Sequence, residues 1–68
     1  MLYELWFENG LIVWKVAKSR NLTEILELSQ KTTAQHVYIL VFEDDGLHLI
    51  KCRCYHPSEL RTASQLLI

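Results

Sequence analysis

The chain has 68 residues, of which half are apolar and 22% are charged, and its formal net charge is −1. This length predicts one small domain over residues 1–68, and the apolar fraction is too high for a disordered tail. No apolar run approaches the roughly 18 residues that span a bilayer, the N-terminus does not resemble a signal peptide, and the balanced charge argues against binding duplex nucleic acid through bulk positive charge.

The first predicted element is a β-hairpin with Asn9-Gly10 as its turn, because both residues tolerate the positive φ of a type I′ turn. Pairing outward from this turn gives one wholly apolar side, formed by the pairs Phe7 with Ile12, Leu5 with Trp14, and Tyr3 with Val16. On the other side Trp6 faces Val13, and the carboxylate of Glu4 meets the ammonium of Lys15 across the strands.

A helix is predicted to follow, with Asn21 as its N-cap and Glu24 three residues later in a capping-box pattern. Its apolar face consists of Leu22, Ile25, Leu26 and Ser29. The helix is expected to end near residues 31–33, where two threonines follow Lys31.

A second hairpin is predicted from His36 to Phe42 and from Leu47 to Tyr55. A turn at Asp45-Gly46 predicts one side formed by the pairs Val41 with Ile50, Ile39 with Cys52, and Val37 with Cys54. A four-residue loop would keep the same faces and slide the pairs. The opposite side then carries His36, Tyr38, Leu40, Phe42, Leu49, Lys51, Arg53 and Tyr55.

The last predicted element is a short C-terminal helix that begins at Pro57. The fold class is therefore α+β, in the order ββαββα, with a four-stranded and largely antiparallel sheet. The first helix is expected on the sheet face that carries Leu5, Trp14, Ile39 and Cys52. The order of the strands within the sheet stays open.

Two cysteines and two histidines near the end of the chain are metal-ligand residue types with the same strand parity. A straight strand spreads His48, Cys52, Cys54 and His56 over more distance than one tetrahedral zinc ion can bridge. Side chains at neighbouring same-face positions also make a poor disulfide. We therefore expect Cys52 and Cys54 to be reduced, buried, small hydrophobic residues in a cytoplasmic protein, and we expect neither a metal nor a cofactor.

No group of residues predicts catalysis. Glu43 and His48 can face each other near the second turn as an acid–base couple, but a solvated cross-strand pair is the favoured interpretation. With glycine only at positions 10 and 46, no Gly-rich phosphate loop is available. We expect no catalytic residues and a protein that is not an enzyme.

The second face of the predicted sheet is mostly apolar, although the solvent face of an antiparallel sheet is normally polar. Such a patch indicates an interface, and the predicted interface residues are Trp6, Val13, Tyr38, Leu40, Phe42, Leu49, Arg53 and Tyr55. Coverage of this face by the C-terminal helix is the alternative.

Two functions compete for this face. The favoured prediction is a protein-interaction module that forms a homodimer or docks on a larger protein, and that is not associated with a membrane. The size and surface suit a small regulator or inhibitor of the kind that phages and plasmids encode. The alternative is a platform for single-stranded nucleic acid, in which aromatic side chains stack on bases while Lys15, Lys51 and Arg53 hold phosphates.

Overall fold

The computed structural model describes residues 1–57, so the predicted C-terminal helix lies outside the described residues. The described chain forms strands β1 (Leu2–Asn9) and β2 (Ile12–Ser19), helix α1 (Leu22–Gln30), and strands β3 (His36–Phe42) and β4 (Leu49–Tyr55). The four strands make one sheet in the order β2-β1-β3-β4, with every neighbouring pair antiparallel. The molecule is thus a small α+β domain with an antiparallel sheet and one helix, as the sequence predicts for residues 1–57.

The strand order explains why a helix connects the two hairpins. Strands β2 and β3 both run antiparallel to β1, and they are therefore parallel to each other and separated by β1. A tight turn cannot join parallel strands, so the chain crosses the sheet through α1. Strands β1 and β3 become the central pair, and β2 and β4 become the edges.

The turn of the first hairpin lies one residue later than predicted. Asn9 pairs with Ile12, so the central residues are Gly10 and Leu11, and only Gly10 has a positive φ, of 65°. Glycine at the first central position is the requirement of a type II′ turn, which takes the place of the predicted type I′ turn. The Gly10 N–H also donates to the side-chain oxygen of Gln35 at 3.1 Å, which ties the turn to the start of β3.

A bulge changes the register of the first hairpin beyond its turn. Because the turn lies one residue later than predicted, Phe7 faces Trp14 instead of Ile12, and Trp6 faces Lys15 instead of Val13. Val16 is then an extra residue, so Leu5 faces Ala17, whereas the prediction paired it with Trp14. Tyr3 likewise faces Ser19 instead of Val16. The extra residue is accommodated because β2 is an edge strand with only one neighbour.

Helix α1 begins as predicted at Asn21, whose side-chain oxygen accepts from the N–H groups of Thr23 at 3.0 Å and Glu24 at 3.4 Å. Ser19 completes the cap, because its hydroxyl accepts from the Asn21 N–H at 3.0 Å and donates to the Glu24 carboxylate at 3.3 Å. In a simple capping box the Glu24 carboxylate would accept from the Asn21 N–H directly. The last helical turn closes at Lys31, whose N–H donates to the Leu28 carbonyl at 3.3 Å.

The core lies between α1 and one face of the sheet, which we call the core face. Its fully buried members are Leu5, Ile25, Val37 and Ile39, and Tyr55 is 7% exposed. Ile25 is the contribution of α1. The small polar residue Ser29 is also buried, and its hydroxyl donates to the Leu26 carbonyl at 2.7 Å, so no polar group is left unsatisfied there.

A second bulge, in β4, exchanges the two sides of that strand. Phe42 faces Leu49 as predicted from the turn, but Val41 faces Lys51, so Ile50 is the extra residue. Beyond it Tyr38 faces Cys54 and Val37 faces Tyr55. The predicted pairs of Val41 with Ile50, Ile39 with Cys52 and Val37 with Cys54 are therefore wrong.

The physical reason is the gain from burying a large side chain. With the bulge, the ring of Tyr55 enters the core and both cysteines point to the other face, where they are exposed. A buried tyrosine removes far more apolar area from water than a buried cysteine, and this gain offsets the cost of one unpaired residue at a sheet edge. The prediction that Cys52 and Cys54 are buried is wrong, and both are free thiols.

Candidate functional site

The candidate site is the sheet face opposite α1, which we call the open face. This face carries the even-numbered positions of β1 and β3, together with the residues of β2 and β4 that pair with them. Six of the predicted interface residues lie on this face, namely Trp6, Val13, Tyr38, Leu40, Phe42 and Leu49. Their role in binding stays a prediction.

The other two predicted interface residues lie on the core face. Tyr55 is a member of the core, and Arg53 faces Ile39 across the strands. Their predicted positions are wrong because of the bulge at Ile50. The exposed thiols of Cys52 and Cys54 occupy the open face in their place, opposite Leu40 and Tyr38.

The centre of the open face carries two aromatic residues. Trp6 and Tyr38 are directly opposite each other on β1 and β3, so their side chains are cross-strand neighbours on this face. The indole N–H of Trp6 donates to the Glu4 carboxylate at 3.1 Å. Because this polar group already has a partner, the ring presents apolar surface to a binding partner.

The exposure of the apolar side chains differs between the strands. Trp6, Tyr38 and Leu40 on the central strands are half-buried by their neighbours. Val13 on β2 and Leu49 on β4 are 51% and 53% exposed. The residues at the two edges therefore have the most area left for contact with another molecule.

Most charges on the open face have a partner within the chain. The Lys15 ammonium lies 3.7 Å from the Glu4 carboxylate, as predicted, although the later turn places Lys15 opposite Trp6 and makes the contact diagonal. His36 Nδ1 lies 2.9 Å from the Glu8 carboxylate. Within residues 1–57, the Lys18 ammonium makes no ion pair. Lys18 lies on the edge strand β2, so the central part of the face is close to neutral.

The surroundings of Tyr38 favour its neutral form. A hydrogen bond with the Cys54 side chain is the main cause that raises the pKa of Tyr38, and burial and the nearby Glu8 carboxylate act in the same direction. A neutral phenol can donate a hydrogen bond to a partner while its ring packs, which is the chemistry of many interface tyrosines.

A second group of functional side chains lies in the loop between β3 and β4. Ligand atoms of Glu43, Asp45 and His48 lie within 4.8 Å of one another, and all three residues are exposed. His48 Nδ1 is 2.5 Å from the Asp45 carboxylate and 3.7 Å from that of Glu43. The predicted pair of Glu43 and His48 is thus close, but the nearer carboxylate is that of Asp45.

Asp45 was missed as a partner of His48 because its first role is structural. Its other carboxylate oxygen accepts from the N–H groups of Leu47 at 2.8 Å and His48 at 3.2 Å, and the hydrogen bonds with Leu47 and His48 lower the pKa of Asp45. An aspartate that caps the backbone two residues later is a common turn signal. These hydrogen bonds close the loop between β3 and β4, and this structural role explains why the three side chains lie close together.

Residues 1–57 form no pocket that would enclose a small molecule. No helix in this part of the chain has the length and apolar character needed to cross a membrane. Comparisons with protein-family models, with curated proteins and with solved structures found no match to this chain.

Proposed function

We propose that this protein is a non-enzymatic interaction module that binds another protein chain through the open face, and that it acts as a small regulator or inhibitor. The partner is a second copy of the chain or the surface of a larger protein. The observation that carries the proposal is the apolar centre of a sheet face over which no described helix or strand packs. Contiguous apolar surface of this kind usually marks an interface.

The side chains of the open face have the arrangement of an interaction surface. Trp6 and Tyr38 are the residue types that most often dominate binding energy, and they lie at the centre of the face. The ion pair of Glu4 with Lys15 and the contact of the Glu8 carboxylate with His36 Nδ1 lie among the apolar residues. Burial of such groups in an interface carries a desolvation cost, but a group that keeps its partner is buried at a lower cost than an unpaired charge.

The alternative of single-stranded nucleic acid binding has less support. Two of the three cations assigned to phosphate contacts, Lys51 and Arg53, lie on the core-face side of β4. The third, Lys15, is already paired with Glu4. A nucleic-acid platform depends on unpaired positive charge beside the aromatic side chains, so protein binding is the favoured function.

The size of the open face sets the expected strength of self-association. With strands about 4.8 Å apart and a rise of about 3.3 Å per residue, the sheet face measures roughly 19 by 25 Å, or about 480 Å². This is less than the roughly 800 Å² that each partner contributes to a standard interface. We therefore expect a homodimer through this face to dissociate on dilution.

The test is a charge placed at the centre of the open face. Leu40→Lys removes apolar surface, and its ammonium lies opposite Glu4, so the fold can tolerate it. Leu28→Lys makes the same chemical change at an exposed position on α1 and is the matched control. Sedimentation equilibrium over a wide concentration range measures self-association, and affinity capture with each variant as bait measures docking on a larger protein.

We expect the wild-type protein and Leu28→Lys to self-associate, or to retain the same partner, and Leu40→Lys to lose that interaction while its circular dichroism is unchanged. An interaction that survives Leu40→Lys contradicts the proposal. So does a wild-type protein that is monomeric at every concentration and retains no partner. Salt-sensitive binding of a labelled single-stranded oligonucleotide would favour the alternative function.

A further inference from the structure

Strand β2 is an edge strand with apolar side chains on both of its sides. Its only neighbour within residues 1–57 is β1, so its outer edge has unpaired backbone donors and acceptors. Ile12 and Trp14 on the core-face side are 66% and 40% exposed, and Val13 on the open-face side is 51% exposed. An exposed edge of this length is a template on which another strand can pair.

The charges of the sheet are divided between its edges and its centre. Strand β2 carries Lys15 and Lys18, and strand β4 carries Lys51 and Arg53. Neither edge strand has an acidic residue, and the carboxylates of the sheet belong to the central strand β1. Both edges of the sheet are therefore cationic.

This distribution disfavours a second copy of the chain as the strand that pairs with β2. If β2 of another copy paired there, Lys15 and Lys18 would meet the same two cations. If β4 of another copy paired there, the two adjacent strands would carry only cations, Lys15 and Lys18 on one and Lys51 and Arg53 on the other. Like charges on adjacent strands are destabilising, whereas opposite charges contribute favourably, so the edge is complementary to an acidic strand.

We propose that the outer edge of β2 binds an extended, acidic segment of another protein, which adds to the sheet as a fifth strand. Backbone hydrogen bonds supply affinity in this binding mode, and alternating side chains supply specificity. The apolar side chains of the segment pack on Ile12 and Trp14 on the core-face side. This binding site is the backbone edge of β2 and includes Lys15 and Lys18 at the margin of the open face, but the proposal does not rest on the function proposed for that face.

The register of β2 predicts the pattern of the segment. Lys15 lies opposite Trp6 and Lys18 lies opposite Glu4, so the two ammonium groups occupy adjacent rows on the same side of the sheet. A strand that follows these rows places acidic residues at alternate positions, with apolar residues between them. Lys18 is the stronger determinant, because the Lys15 ammonium is already 3.7 Å from the Glu4 carboxylate.

The experiment is a titration of the full chain followed by amide chemical shifts. The probe is a soluble capped peptide in which valine alternates with glutamate, and the matched control peptide has lysine in place of each glutamate. We expect the acidic peptide to shift the β2 amides and the lysine peptide to leave them unchanged. Lys18→Glu should weaken the binding about tenfold at low salt, and Lys31→Glu, the same charge change at the end of α1, should not.

Three results would overturn the proposal. Equal binding of the two peptides, or no binding of either, would show that charge complementarity does not select the occupant. Shifts confined to β4 or to the open face would assign the peptide to another surface. Protection of the outer β2 amides from hydrogen exchange without peptide would mean that the edge is already occupied, by this chain's own C-terminal residues if protection is independent of concentration and by a second copy if it is not.

Discussion

The bulge at Ile50 decides which side chain of β4 enters the core, and this can be tested by comparing two substitutions at adjacent positions. In the structure Tyr55 is 7% exposed within the core, whereas Cys54 is exposed on the open face. Without the bulge the two residues would exchange places. With the bulge, Tyr55→Leu should cost more stability than Cys54→Ala. Without the bulge, Cys54→Ala should cost more.

The magnitudes follow from the burial of the two side chains. Truncation of a buried aromatic residue to alanine costs about 3–5 kcal/mol, which is comparable to the whole stability expected of a domain below about 80 residues. Tyr55→Leu keeps a buried aliphatic group and is expected to cost about 1–3 kcal/mol, so the variant still folds. Cys54→Ala removes an exposed thiol and should change the free energy of unfolding by less than about 0.5 kcal/mol.

Equilibrium urea unfolding followed by tryptophan fluorescence measures both changes. Thiol labelling of the native monomer, at a dilution at which the protein does not self-associate, adds an independent readout, because both cysteines are exposed and should react readily. The reasoning is refuted if Cys54→Ala costs more than Tyr55→Leu, or if the native thiols are protected. Either result would restore the straight register in which the cysteines face α1.

Three further predictions concern the helix and the two turns. Ile25→Ala should cost about 2–5 kcal/mol in urea unfolding because Ile25 is fully buried. Leu28→Ala, at a position that is 39% exposed, should cost less than about 1 kcal/mol. Equal costs would contradict the placement of α1. Gly10→Ala should cost about 1–2 kcal/mol because φ is 65° and a Cβ would meet no other atoms, so a neutral result would contradict the type II′ turn. The pKa of Asp45 is lowered in the folded state, so its contribution to stability is complete above its unfolded pKa of about 3.9 and is lost as the pH falls through the lower folded value. Asp45→Asn should therefore flatten the loss of stability on the acid side in thermal unfolding, and an unchanged pH profile would contradict the hydrogen bonds of the Asp45 carboxylate with Leu47 and His48.

Local signals predicted the elements of residues 1–57 well. The helix begins at Asn21 because an asparagine side chain satisfies N–H groups that no helical carbonyl can reach. A glycine with positive φ marks each hairpin, at Gly10 and Gly46. These features depend on a few adjacent residues, so they can be predicted without knowledge of the rest of the fold.

The faces of the edge strands could not be predicted in the same way. A bulge adds one residue to a ladder, and the sequence around Val16 and Ile50 contains no glycine or proline that would mark one. Its position depends on which side chain gains most from burial in the completed core. For β4 the only cue was that Tyr55 is much larger than Cys54, and that comparison has meaning only once the position of the core is known.

The central strands were less sensitive to this problem, and the reason bears on the proposed function. Strands β1 and β3 pair over seven residues without a shift, and each has a neighbour on both sides. A bulge there would disrupt two ladders instead of one, so the register of a central strand is more strongly determined. Trp6, Tyr38 and Leu40 belong to these strands. The apolar centre of the open face therefore follows from the best-determined part of the sheet, whereas the bulges changed mainly its margins, where thiols replaced Arg53 and Tyr55.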